Sequence, residues 1–193
     1  MNANYACLSS ETYREGKRCL VAWRGTDIDS VRRWRNEQIE VLRQKSELSP
    51  EDQQNYFRDV IVPTFAQDKP RQLLFSYLEN DVLIGYGGLV HIDWEMPRGE
   101  ISFLMETKRA ADPDRYAEDF QIYFNLLARI AFDELGFHRM TSETFDIRPV
   151  HVKVLESFGF RREGRLREHV MVRGKAIDSI LHGLLRDEWR KSS

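Results

Sequence analysis

Three basic side chains crowd the point where a strand hands over to a helix. Glu100 to Met105 reads as a strand, Glu106 to Asp112 as a polar loop, and Lys108, Arg109 and Arg115 stand in or just beyond that loop. The first turn of a helix presents unpaired N–H groups and a partial positive charge, so this order can hold an anion. A solvated loop with ordinary basic residues is equally compatible, because no glycine lies between Gly99 and Gly136 to let a phosphate approach the backbone. A second basic group runs from Arg161 to Lys175, but Glu163 and Glu168 are interspersed in it, as on a solvated hairpin surface.

The helix after the loop is announced by Asp112-Pro113, an N-cap carboxylate followed by a proline at the first helical position. Tyr116, Phe120, Tyr123, Phe124, Leu127, Ile130, Ala131 and Leu135 recur at three- and four-residue spacing and define one buried face, and Gly136 suits a left-handed C-cap. Upstream, Cys19–Trp23 reads as a first strand, Thr26 as the cap of a helix through Asn36, and Ser49-Pro50-Glu51-Asp52 as a second helix start. Strands follow at Gln72–Leu78, Val82–Val90 and Arg98–Glu106, with Gly85, Gly87 and Gly88 marking a close backbone approach. After the long helix come a strand His138–Phe145, a short helix Pro149–Phe158 and two strands, about 160–172 and 176–187, turning at Arg173-Gly174. A helical crossover makes the 98–106 and 138–145 strands parallel neighbours. The expected fold is mixed α/β (α+β), with six or seven mostly antiparallel strands and flanking helices.

The chain has 193 residues, 41% apolar and 31% charged, which fits one domain. Residues 1–17 are expected as a loose N-terminal arm and 18–193 as a single domain. A net charge of −2, from 29 basic and 31 acidic residues, gives no global field for nucleic acid. Met1 to Lys17 lacks the apolar core of a secretory signal, and the longest apolar run, Val82–Val90, is far short of a membrane span. Cys7 and Cys19 make no metal-type spacing, so the expectation is a soluble, cytoplasmic protein without a metal site or membrane partner. Trp94 in the His91-to-Pro97 loop allows an interface, and hence a homodimer.

This order of elements, together with Ala131-Phe-Asp-Glu-Leu-Gly-Phe-His-Arg-Met140 and Val154-Leu-Glu-Ser-Phe-Gly-Phe-Arg-Arg-Glu-Gly164, resembles the GNAT superfamily of acyl-CoA-dependent N-acyltransferases. Gly159-Phe160 with Glu163-Gly164, followed by Leu166-Arg167-Glu168, is similar to the branch holding ribosomal-protein N-terminal and sugar-nucleotide amine acetyltransferases, as is Trp34-Arg35-Asn36. The resemblance covers roughly residues 18–188. It departs where the family binds its donor. Arg115 takes the basic position of the pyrophosphate loop, but Tyr116 and Glu118 stand where glycines are usual; Arg148-Pro149-Val150-His151 replaces Asn-x-x-Ser; and Leu155 replaces a tyrosine that many members use as general acid.

The resemblance implies transfer of an acetyl group from acetyl-CoA to a primary amine, an amino-sugar nucleotide or a protein N-terminus above all. A non-catalytic CoA-binding module is the alternative. It implies a pantetheine arm between the splayed 98–106 and 138–145 strands, with Phe103, Leu104 and Met105 supplying the edge, and Lys108, Arg109, Arg115, Tyr116, Ala117, Arg148 and His151 contributing to the donor site. Glu100 is the candidate base and Glu143 the second. Trp34, Arg35 and Asn36 are placed on the acceptor side, where an aromatic ring and a guanidinium suit a sugar or phosphate; the other reading is a packed tryptophan with solvent-facing neighbours.

Overall fold

A computed structural model describes residues 4–192. Eight strands form one sheet: β1 (Thr12–Glu15), β2 (Arg18–Ala22), β3 (Leu73–Glu79), β4 (Val82–Asp93), β5 (Arg98–Met105), β6 (Arg139–Phe145), β7 (Arg161–Val172) and β8 (Lys175–Leu185). Their order is β1-β2-β3-β4-β5-β6-β8-β7, antiparallel except for the β5–β6 pair. The parallel pair is where the helical crossover placed it. The helices are α1 (Ile28–Glu37), α2 (Pro50–Tyr56), a single turn α3 (Thr107–Ala110), α4 (Pro113–Ala128), α5 (Pro149–Phe158) and α6 (Arg186–Ser192). None of the described helices is long and apolar enough to cross a membrane.

The alternation of side chains along the strands splits the apolar residues between two faces. Leu73, Phe75, Phe103 and Met105 turn toward α4, where Tyr116, Phe120, Tyr123, Phe124 and Leu127 are buried with them. Leu74, Tyr86 and Leu104 turn the other way, onto Trp23, Ile28, Val31 and Trp34. Each large side chain so buried contributes about 1.5–3 kcal/mol. Gly87 matters to this packing: a Cβ there would lie 2.1 Å from the Ser102 carbonyl oxygen and 2.6 Å from the Tyr123 hydroxyl. The space lets Tyr123 donate to that carbonyl at 2.7 Å, tying α4 to β5.

The helix boundaries follow local chemistry. Ser49 and Asp52 form a reciprocal capping box on α2. Asp112 caps α4, accepting from the amides of Asp114 and Arg115 at 3.1 Å each. A π-helical turn, Arg129–Glu134, extends α4, and Gly136 leaves it at φ 71°.

Four expectations need correction. Residues 4–17 are not a loose arm: Thr12–Glu15 pairs with β2, and Tyr5 is buried with its hydroxyl bonded to Leu74. This adds the eighth strand. Thr26 does not cap α1, which starts at Ile28 after a 3₁₀ turn, Gly25–Asp27; the buried Asp27 carboxylate is taken by Arg24 and Ser76. The last strand stops at Leu185, because Arg186 donates to the Phe137 carbonyl at 2.8 Å and Trp189 packs on Phe132, turning the chain into α6.

Candidate active site

β5 and β6 are joined by only three residue pairs, Arg98–Arg139, Gly99–Met140 and Glu100–Thr141. Beyond them β5 stays with β4 as far as Met105, and β6 stays with β8 as far as Phe145, so a gap opens between the two strands. Two cavities lie in it and beside it. One, about 270 Å³, lies between the strands, with Glu100, Ser102, Phe103, Glu143 and Thr144 on its walls. The other, about 660 Å³, lies among residues 36–41, the end of α3, the start of α4 and the start of α5. Arg148, His151 and Val41 line both.

At the closed end, Glu100 and Glu143 face each other from the two strands. Arg43 lies between them, its Nη2 2.8 Å from Glu100 Oε1 and 2.8 Å from Glu143 Oε2. Each carboxylate offers its other oxygen to a histidine: Glu100 Oε2 is 3.1 Å from His91 Nδ1, and Glu143 Oε1 is 3.5 Å from His169 Nε2. Both histidines sit at β-bulges. The β4–β5 register shifts between Val90 and Asp93, with His91 at φ 50°, and the β7–β8 register shifts between Leu166 and Val170, with Glu168 at φ 50°. Bulges bend a strand and re-aim its side chains, and here both aim an imidazole at a carboxylate.

Arg43 belongs to the segment joining α1 to α2, which is held by polar contacts. Asn36 accepts from the Leu48 amide and from Gln44 Nε2, and donates to the Leu48 carbonyl, each at 2.9 Å. Arg35 Nε donates to Gln44 Oε1 at 3.0 Å. Gln38 donates to the Met105 carbonyl at 2.8 Å, and Glu40 pairs with Arg173 at the tip of the β7–β8 hairpin. Thus Asn36 and Arg35 position this segment, while Trp34 is core.

Where the two cavities meet, Arg148 Nη2 donates to the Tyr116 hydroxyl at 2.9 Å, and that oxygen is 2.6 Å from His151 Nδ1. His151 is buried, and burial, followed by Arg148 and His182, holds its imidazole well below the usual histidine range. A neutral ring whose Nδ1 accepts the Tyr116 proton carries its own proton on Nε2.

The three basic residues singled out in the loop do not gather at the gap. Arg109 is buried, donating to Asp119 at 2.8 Å and pairing with Glu79; Arg18 holds the other Asp119 oxygen at 2.6 Å. Arg115 also turns to Glu79, at 3.9 Å. Lys108 is exposed, outside both cavity walls. Ala117 packs against the core, as do the side chains of Leu104 and Met105; of the three β5 edge residues, Phe103 alone lines a cavity.

The model of the acetyltransferase (GNAT) domain matches residues 20–181. The chain belongs to the GNAT acetyltransferase family. It is therefore an acyltransferase. An SPbeta prophage-derived uncharacterized N-acetyltransferase of Bacillus subtilis (strain 168) is 22% identical over 150 residues, 78% of this chain and 81% of that protein. The spermidine N-acetyltransferase of Vibrio cholerae in complex with CoA and spermine shares the fold, with a TM-score of 0.79 at 17% identity over 91% of this chain and 99% of that one. A dodecameric structure of the Vibrio cholerae enzyme gives 0.77 at 18%, covering 93% and 99%.

Within this GNAT frame, Leu155 is a fully buried core residue, so the position where many members carry a tyrosine presents no hydroxyl. Arg43, His91 and His169 escaped sequence reasoning. The register shift around His91 has no local composition signal, and Arg43 is one arginine in a polar stretch whose partners lie far along the chain.

Proposed function

We propose that this GNAT acetyltransferase transfers the acetyl group of acetyl-CoA to a primary amine, with the donor in the gap between β5 and β6 and the amine at Glu100 and Glu143. One observation carries the reading: the parallel ladder stops after Glu100 and Thr141, opening a slot with paired carboxylates at one end and Arg148 at the other. Acetyl-CoA, when bound, supplies the activated acyl group and a thiol leaving group.

The residues present suit that donor in part. The slot is narrow and bordered by strand backbone, which fits an extended arm. Arg148, beside the wider cavity, is the cation placed to meet phosphate there, whereas Arg109 and Arg115 are engaged by Asp119 and Glu79. The α4 N-terminus, whose amides Asp112 has taken, is a poor anion seat. Glu100 takes the proton of the incoming ammonium, so that a neutral amine attacks. Glu143 orients that amine from the opposite strand. His151 directs its Nε2–H at the donor, held in that tautomer by Tyr116.

Protein N-termini, amino-sugar nucleotides and polyamines all offer such an amine; the Vibrio cholerae enzyme of the same fold was solved with spermine. The test is calorimetry with acetyl-CoA followed by thiol release with a panel of amines. Binding plus thiol release with at least one amine is expected. Binding without release from any of them would assign a binding module instead.

A further inference from the structure

Arg43 does more than neutralise two glutamates: its side chain is a partition. It lines the narrow cavity between β5 and β6, and equally an outer groove of about 600 Å³ between residues 39–45 and the hairpin strand β7. Leu42, Gln44 and Phe145 are shared by the two spaces in the same way. The groove carries an apolar strip, Val170, Met171 and Val172, beside the charged Glu40, Lys45 and Arg173, and Met171 is 68% exposed. Inside the partition, two carboxylates stand against the single guanidinium of Arg43. Arg35, on the same cavity wall, is turned to Gln44, and Arg148, at the far end, to Tyr116.

We propose that the guanidinium of Arg43 occupies the acceptor seat, and that the acceptor is a cationic amine on an apolar stem which enters by the outer groove and exchanges for that guanidinium between Glu100 and Glu143. The geometry favours exchange over addition. Arg43 Nη2 already lies 2.8 Å from an oxygen of each carboxylate, where a transferred ammonium would have to sit. The seat is a poor match for an anion, which would meet two carboxylates. The arginine side chain is 45% exposed and borne on a segment tied down by Asn36, so it can swing into the groove while its backbone stays put. An internal competitor lowers apparent affinity by the fraction of time it holds the seat.

This inference rests on the proposed acetyl transfer for its meaning but not for its test. Binding of n-hexylamine is measured by calorimetry with no donor present. Arg43→Gln should bind it at least about tenfold tighter than the parent. Arg43→Lys, which keeps a cation, should gain much less. Equal or weaker binding by Arg43→Gln overturns the proposal, and so does an equal gain in Arg43→Lys, because charge would then not be what blocks the seat. A loss of 6-aminohexanoate binding in Arg43→Gln, with no gain for hexylamine, also overturns it and makes Arg43 a reader of an acceptor carboxylate. Tighter hexylamine binding without thiol release on adding acetyl-CoA leaves the seat standing and removes the proposed reaction.

Discussion

Glu100 on β5 and Glu143 on β6 hold the same nitrogen of Arg43, each at 2.8 Å. Two carboxylates, one at the last pair of the parting strands and one just past it, are thereby kept within reach of one small cation. Glu100 stands at the last paired position of β5, where the slot begins. If it takes the ammonium proton, Glu100→Gln lowers turnover by roughly 10²–10⁴-fold with acetyl-CoA affinity nearly unchanged. Steady-state thiol release with calorimetry of the donor checks this. An undiminished rate would pass the role to Glu143 or to water.

Asn36 makes three hydrogen bonds that fold the segment carrying Arg43 back onto α1. Asn36→Ala removes all three, each contributing about 0.5–1.5 kcal/mol. The expected result is faster amide exchange at residues 42–48, with acetyl-CoA affinity preserved. Unaltered exchange there would show that other contacts hold the segment.

Asp119 is fully buried between Arg18 and Arg109. Asp119→Ala leaves two guanidinium groups without their shared partner, and breaking a buried ion pair in this way costs about 3–5 kcal/mol. Denaturant unfolding should show that loss. A change below about 1 kcal/mol would mean that Glu79, with Glu118 beside Arg18, satisfies both arginines.

Stability should fall with acid in two stages. Burial holds His151 and His182 below the usual histidine value of 6.5. Below pH 6.5 the unfolded chain therefore takes up protons that the native state refuses, and the native state loses ground. Glu79, held at about 2 mainly by its hydrogen bond to Arg109, contributes fully above its ordinary 4.5 and loses that contribution as pH falls toward 2. Melting temperatures between pH 8 and pH 3 test both stages. His151→Asn should shrink the first stage to the part due to His182 and leave the second.

What could be read from the sequence was what depends on neighbours along the chain. Asp112-Pro113 announced α4, Ser49 with Asp52 announced α2, and Arg173-Gly174 placed the hairpin. The apolar stripe from Tyr116 to Ala131 located the face that meets the sheet. The crossover between β5 and β6 placed Glu100 and Glu143 on neighbouring strands. Long-range pairing was not legible. Arg109 looked like a phosphate ligand because it follows a strand and precedes a helix, yet its direction is set by Asp119, ten residues on, and by Glu79 on another strand. Thr12–Glu15 is too short to show a period, and its strand exists because β2 offers an edge.

Three residue pairs also make β5–β6 the shortest ladder joining the long strands of the sheet. Mechanically, the sheet is two plates riveted at one end. Twisting of one plate against the other is the softest motion such an arrangement permits, and its amplitude grows away from the rivet, toward Met105 on one side and Phe145 on the other. Anything that lies in the slot damps the twist of both plates at once. Amide exchange at 102–105 and 142–145 should therefore slow together when the slot fills, not one strand at a time.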